Sequence, residues 1–233
     1  FPLYVYRMTN IALCSGGSHR LSSAIHKIIT AEGGKICDSS EVTKVIMTNN
    51  KVEGVLLKDG TEIKAEVVAS TVDPQQNFLQ FFDKNEIPAD LIESAKKWEW
   101  EKLVFFGTHV SLSEAPKYIG SDTNKDINNA CINFLGINDT EMLLEHLQDL
   151  EDGIFHENTL LGHITCASLF DPIQAPSGMH TGRWESLVLY DYNWENNTEE
   201  FKKKCMNEWR KYAPNLSLLN TMAYPPTFIE RKL

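Results

Sequence analysis

A chain of 233 residues that is 42% hydrophobic can fill the core of one large domain or two small ones. Its formal charge of -10, from 22 Lys and Arg against 32 Asp and Glu, argues against nucleic acid or an anionic membrane as the main partner, because phosphate surfaces demand clustered cations. It holds no run of about 18 apolar residues, the length needed to span a bilayer.

In chain order, FPLYVYRM has neither an initiator methionine nor a basic, apolar leader, and PPTFIERKL stops where a domain usually continues. The chain is therefore expected to be a piece of a larger protein. Next, CSGGSHRLSSAIHKII poses a choice between a phosphate-binding turn and glycines used for close packing. Leu21, Ala24, Ile25, Ile28 and Ile29 share one face of a helix predicted over 21–32, which Gly33-Gly34 ends. KICDSS and VVAS (67–70) are predicted as strands of one parallel sheet. Between them, Asn49-Asn50 and Asp59-Gly60 turn a three-stranded meander outside that sheet.

After Asp73-Pro74 the pattern changes. QQNFLQFFD and ADLIESAKKWEW read as helices, and residues 102–113, ACINFLGI, HITCASLFDP and RWESLVLYDYN as four strands. TEMLLEHLQDLEDG is a helix, and Asn197 with Glu200 forms a capping box for another that Pro214 ends. From residue 77 onward this amounts to an antiparallel sheet with helices.

The five cysteines are widely spaced without a CxxC, which reads as buried thiols in a reducing compartment. In such a chain the sequons at Asn138, Asn196 and Asn215 carry no meaning. No metal-ligand spacing occurs among the seven histidines, and Ser15 lacks the second glycine of a nucleophile elbow. No catalytic acid, base or nucleophile is assigned. His109 and His163 fall within strands and can face a cavity or sit half-buried. Phe106, Phe134, Trp184 and Tyr190, with Tyr4, Tyr6, Phe105 and Phe170, either line an apolar ligand cavity or pack a core. Asp171, before Pro172, is expected to shape a turn. Gly16-Gly17 does not complete GxGxxG, since the two glycines are adjacent and the strand comes after the helix. These residues alone indicate an α+β intracellular fragment.

From Gly16 onward the order of segments resembles the flavin-dependent oxidoreductases of the phytoene desaturase type. Within these it resembles the branch called pyridine nucleotide-disulfide oxidoreductase domain-containing protein 2. The resemblance rests on residues 16–74, on SLFDPIQAPSGMHTGRWESLVLY and on YAPNLSLLNTMAYPPTFIER, and is only in outline over 75–160. It implies an α+β (α/β hybrid) fold. Part of an FAD-binding Rossmann-like domain, carrying the meander, would join a substrate domain of antiparallel mixed sheet and helices. The implied boundaries are an entry segment at 1–13, cofactor domain at 14–74, substrate domain at 75–225 and a return segment at 226–233.

The resemblance also implies that Val42, after Glu41, contacts adenine. Gly16 and Gly17 would border the cofactor domain and the cavity, and Ser70, Thr71 and Asp73 would end a strand near the flavin. The cofactor is FAD, held weakly or not at all by this chain alone, because GxGxxG and the closing glycine-rich segment would lie outside it. A hydride would pass between a C–C bond of a hydrophobic, isoprenoid-like substrate and flavin N5. The remaining parts of the same polypeptide would be partners, and the location intracellular, either cytoplasmic or peripheral to a membrane. A flavin amine oxidase and a non-catalytic hydrophobic-ligand or scaffold protein are the alternatives.

Overall fold

Two asparagines set the first sheet. Asn49 and Asn50 both hold positive φ (52° and 60°), the conformation that a tight hairpin turn demands. They join β1 (Val42–Thr48) to β2 (Lys51–Leu57). Around Asp59-Gly60, Gly60 N–H donates to the Leu57 carbonyl, Thr61 N–H donates to Asp59 Oδ1, and β3 (Glu62–Lys64) returns antiparallel. The expected meander is therefore present, in the order β1-β2-β3. It belongs to a unit running from Ile25 to Trp100, with α2 (Pro74–Gln80) and α3 (Ala89–Lys96). The second unit comprises the described residues up to Ala24 and those from Glu101 on. This computed structural model describes residue 12 and residues 14–83 and 85–230, so the expectations for Tyr4 and Tyr6 lie outside the described residues.

Two expected strands do not form. Residues 35–40 and 67–70 are in no ladder, and Ile36 (48%) and Val67 (82%) are exposed. A strand exists only where its N–H and C=O groups meet a partner backbone, and none of the described residues supplies one. The predicted helix is present as α1 (His19–Ala31), and Gly33, at φ 82°, ends it as expected. No side chain of α1 is buried, so its apolar stripe is uncovered.

The second unit is built on one antiparallel sheet of five strands, in the order β5-β6-β7-β4-β8. These are β4 (Leu103–Leu112), β5 (Asn133–Leu135), β6 (Gly162–Thr165), β7 (His180–Leu189) and β8 (Leu218–Tyr224). Alternation assigns its two faces. Phe106, Val110 and Leu112 of β4, with Trp184 and Val188 of β7, face a core shared with helix α5 (Trp194–Tyr212). That helix contributes Trp194, Phe201, Cys205 and Trp209 at helical spacing. Phe106 lies 5.1 Å from Trp194 and 4.9 Å from Phe201, centroid to centroid.

Several boundaries differ from expectation. Asn197 is no cap, because α5 begins a turn earlier at Trp194, whose fully buried indole donates to the Leu189 carbonyl. The strand expected over 163–172 stops at Thr165, and two 3-10 turns follow at Ala167–Leu169 and Pro172–Gln174. Ser168 accounts for part of this by accepting from Thr181 N–H and pairing with His180 Nδ1 (3.0 Å), which ties the first turn across to β7. β8, absent from the sequence reading, pairs with the edge of β4, and a short helix, α6 (Pro226–Glu230), follows it. Only Cys166 and Cys205 are buried as expected. Cys14, Cys37 and Cys131 are exposed, because they lie in turns and irregular segments that run over the surface. Among the described residues no helix is long and apolar enough to cross a membrane.

One buried histidine makes stability depend on pH. His146, on α4 (Thr140–Glu151), is 4% exposed, and burial pushes its imidazole below the ordinary 6.5. The unfolded chain takes up this proton more readily than the folded one, so stability falls as pH drops below 6.5 and levels off below the folded value. His146→Leu is expected to flatten that slope between neutrality and pH ~5, measured by urea unfolding at a series of pH values. An unchanged slope would place its origin elsewhere.

Candidate functional site

The sheet face away from α5 lacks the other face's continuous core. Odd-numbered positions of β4 and β7 point there, and strand register lines them up with β6, β5 and β8. One cross-strand row reads Phe134, His163, Glu185, Gly107, Tyr224. The next reads Thr165, Arg183, His109, Met222. Phe134 (69%), Phe105 (53%) and Met222 (52%) are exposed on or beside these rows. The surface is thus aromatic and apolar at its margins and charged at its centre.

The central charges are tied together. Glu185 Oε2 lies 3.1 Å from His163 Nδ1 and 3.3 Å from an Arg183 terminal nitrogen. The Phe134 ring stacks on His163 at 5.5 Å, and His109 packs against Tyr224 at 4.7 Å. His109 is exposed at one side, but desolvation by its neighbours, and secondarily the Arg183 charge, push its imidazole below the usual value, which favours the neutral ring. Arg183 Nε is buried and meets no acceptor among the described residues. Beside Phe134 an open groove of about 550 Å³ continues along Ile137, Leu143 and Leu161.

The expected substrate residues separate by strand parity. His109, Phe134 and His163 come together on the open face. Phe106 and Trp184 are fully buried on the opposite face, where they pack the core. Tyr190 lies just past β7, its N–H donating to the Lys102 carbonyl and its side chain exposed. Arg183, Glu185, Tyr224 and Gly107 were absent from the sequence reading. The polar alternation of Arg183 and Glu185 against Trp184 and Val188 is a readable signal for the first two.

The glycine pair is a turn with no N–H to spare. Gly16 and Gly17 hold φ of 80° and 98°, open to glycine at little cost. Gly17 N–H donates to the Cys14 carbonyl (2.9 Å), and Gly16 N–H to Asp171 Oδ2 (2.6 Å). Asp171 also accepts from Gln174 (2.8 Å), and these bonds hold its carboxyl below the usual carboxylate range. A phosphate would find both N–H groups engaged, so the pair does not fit a phosphate cradle. The Asp171 link spans 155 residues and was not legible in the sequence.

In the meander unit, Val42 opens β1 opposite Leu57, and the Glu41 carboxylate pairs with Lys58 at 2.7 Å. Asp73 caps α2 by accepting from Gln76 N–H. Ser70 and Thr71 are exposed, and Ser70 Oγ accepts from Val72 N–H. Exposed Ser70 and Thr71 can border a cofactor, but two of the set, Glu41 and Asp73, already have partners within the chain.

No family model matches the sequence. Over 252 aligned residues, covering all of the chain and 45% of the relative, it is 27% identical to a limonene dehydrogenase component of Castellaniella defragrans. It is 26% identical to the neurosporene-forming phytoene desaturase of Rhodobacter capsulatus, across 82% of the chain and 36% of that protein. Identity is also 26% to pyridine nucleotide-disulfide oxidoreductase domain-containing protein 2 of Rattus norvegicus, across 71% of the chain and 29% of that protein. The chain thus spans less than half the length of these relatives. An oxidoreductase from Methanosarcina mazei shares the fold at TM-score 0.58 and 16% identity, over 91% of this chain and 43% of that one. Reduced UDP-galactopyranose mutase does so at 0.56 and 11%, over 87% and 37%. The sequence likenesses link the chain distantly to the FAD-dependent oxidoreductases without assigning it to any one family, and the structural ones show the shared fold.

Proposed function

We propose that the chain is the substrate-binding part, with one excursion toward the cofactor, of an FAD-dependent oxidoreductase acting on a hydrophobic, terpene-like molecule. The observation that carries this is the open sheet face, where Phe105, Phe134, Met222 and Tyr224 surround a few polar groups on a sheet whose other face is a complete core. Ligand sites combine such an apolar lining with few polar anchors. The names of two relatives, limonene dehydrogenase and phytoene desaturase, point to a terpene carbon skeleton, a class with both hydrocarbon and oxygenated members.

In this reading flavin supplies the hydride acceptor or donor at N5. The chain's own part is to seat the substrate on the sheet, keep water from it and fix its orientation. Val42 and Glu41 would lie by adenine, with Ser70, Thr71 and Asp73 near the flavin and Gly16-Gly17 turning the chain past it. Because neither glycine N–H is free, the pyrophosphate must be held by other residues of the longer polypeptide.

Absorption spectra test the proposal. The longer protein containing this chain is expected to purify yellow, or to become so with added FAD, and to bleach with dithionite. The 233-residue chain passed through a desalting column after FAD treatment is expected to retain little flavin. A colourless longer protein that takes up no FAD would sink the reading and favour a ligand-binding protein without redox activity.

A further inference from the structure

We infer that the molecule bound on the open sheet face carries a neutral oxygen function, a hydroxyl or carbonyl, received by Arg183 and His109. This rests on the preceding reading that the face binds a hydrophobic ligand.

Arg183 and His109 are direct cross-strand neighbours on β7 and β4. A guanidinium has five N–H donors. The carboxylate partner of this one is Glu185 Oε2, at 3.3 Å from a terminal nitrogen and shared with His163. That distance exceeds the roughly 2.7–2.9 Å of a tight charge-assisted bond. Nε is buried without an acceptor. That Nε is out of a ligand's reach, but the side chain as a whole is 40% exposed, so the accessible donors are the N–H groups of its terminal nitrogens.

Charge narrows the class of ligand. Glu185 cancels the Arg183 cation, and His109 is held toward its neutral form. A carboxylate or phosphate would therefore meet no excess positive charge, and would be repelled by Glu185. A pure hydrocarbon would leave the guanidinium donors unmatched in a partly dehydrated place, which costs affinity. A hydroxyl or carbonyl oxygen can accept from Arg183. Neutral imidazole, with one donor and one acceptor nitrogen, can complete the contact with either group. The aromatic stacks beside it, Phe134 on His163 and His109 on Tyr224, leave flat apolar surface for an unsaturated carbon skeleton.

Calorimetry with three probes tests this: geraniol, the corresponding deoxygenated diene, and geranyl phosphate. The protein is expected to bind geraniol about tenfold more tightly than the diene, the worth of one good hydrogen bond, and more tightly than the phosphate. Arg183→Lys keeps the charge beside Glu185 but removes Nε and the planar fork, while His109→Phe keeps a ring against Tyr224. Each is expected to bring the geraniol-to-diene ratio close to one while diene affinity holds. Equal binding of geraniol and diene, a ratio that survives both substitutions, or a preference for the phosphate would overturn the inference and leave hydrophobic binding standing. Failure of all three probes to bind would overturn both it and the hydrophobic-ligand reading.

Discussion

Trp184→Ala is expected to cost about 3–5 kcal/mol of folding stability, read by urea unfolding. The magnitude follows from what the indole touches. It is fully buried on β7, 6.4 Å from Trp209 by centroids, and lies over Gly162, where a Cβ would fall 2.4 Å from its ring. Its Nε1 donates to Ser186 Oγ (2.8 Å), and that hydroxyl donates in turn to the Leu161 carbonyl (3.0 Å). Alanine would leave a void that Gly162, lacking a side chain, cannot fill. Against a typical total of roughly 5–15 kcal/mol, such a loss brings the fold close to its limit. Gly162→Ala probes the same contact from below. With the ring anchored at Ser186 it has little room to move, so the substitution is expected to cost about 1–3 kcal/mol. Combining it with Trp184→Phe should cost less than the sum of the two singles, because the smaller ring leaves space for the methyl. A loss under about 1 kcal/mol for Trp184→Ala would show that this packing does not carry the sheet.

The parts legible in the sequence are those fixed by short-range chemistry. Asn49-Asn50 and Asp59-Gly60 specify turns through their own backbone preferences, and Gly33 ends α1 for the same reason. β4 shows as a run of Leu, Val and Phe, and α4 as a helix that Asp139 caps by accepting from Met142 N–H. What escaped depends on distant partners. β8 is an edge strand of mixed residues whose pairing with β4 is a tertiary event, and its sequence has no sustained alternation. Residues 35–40 and 67–70 look like strands by composition yet have no ladder partner among the described residues. For the site, composition picked out aromatic residues but not their face. Phe106 and Phe105 are neighbours in the chain, but Phe106 is fully buried and Phe105 is 53% exposed. Parity around Arg183 and Glu185 separates the faces of β7, but the packing of α5 decides which of them becomes core.

Gly107→Val is expected to separate folding from binding. Gly107 lies between Glu185 and Tyr224 in the central row of the open face, the one position there without a side chain. Its φ lies outside the left-handed region, so a branched residue meets no backbone strain. A Cβ would come only within 3.8 Å of Tyr224 Cβ, an ordinary contact. In a strand interior valine packs better than glycine, so stability should hold or rise by up to about 1 kcal/mol. Gly107 is itself buried, so the valine methyls would press on the flanking Glu185 and Tyr224 side chains and raise the floor on which the proposed ligand would rest. Affinity for geraniol is therefore expected to fall about tenfold or more, because a methyl in a ligand's space acts by exclusion. Gly107→Ala should fall between wild type and valine. That order distinguishes a filled notch from general damage, which would lower the unfolding midpoint in step with binding. If valine leaves the affinity within about twofold at unchanged stability, the ligand does not lie over this row. The site would then have to be sought in the groove beside Phe134, along Ile137 and Leu143, where Leu143→Trp would be the corresponding block.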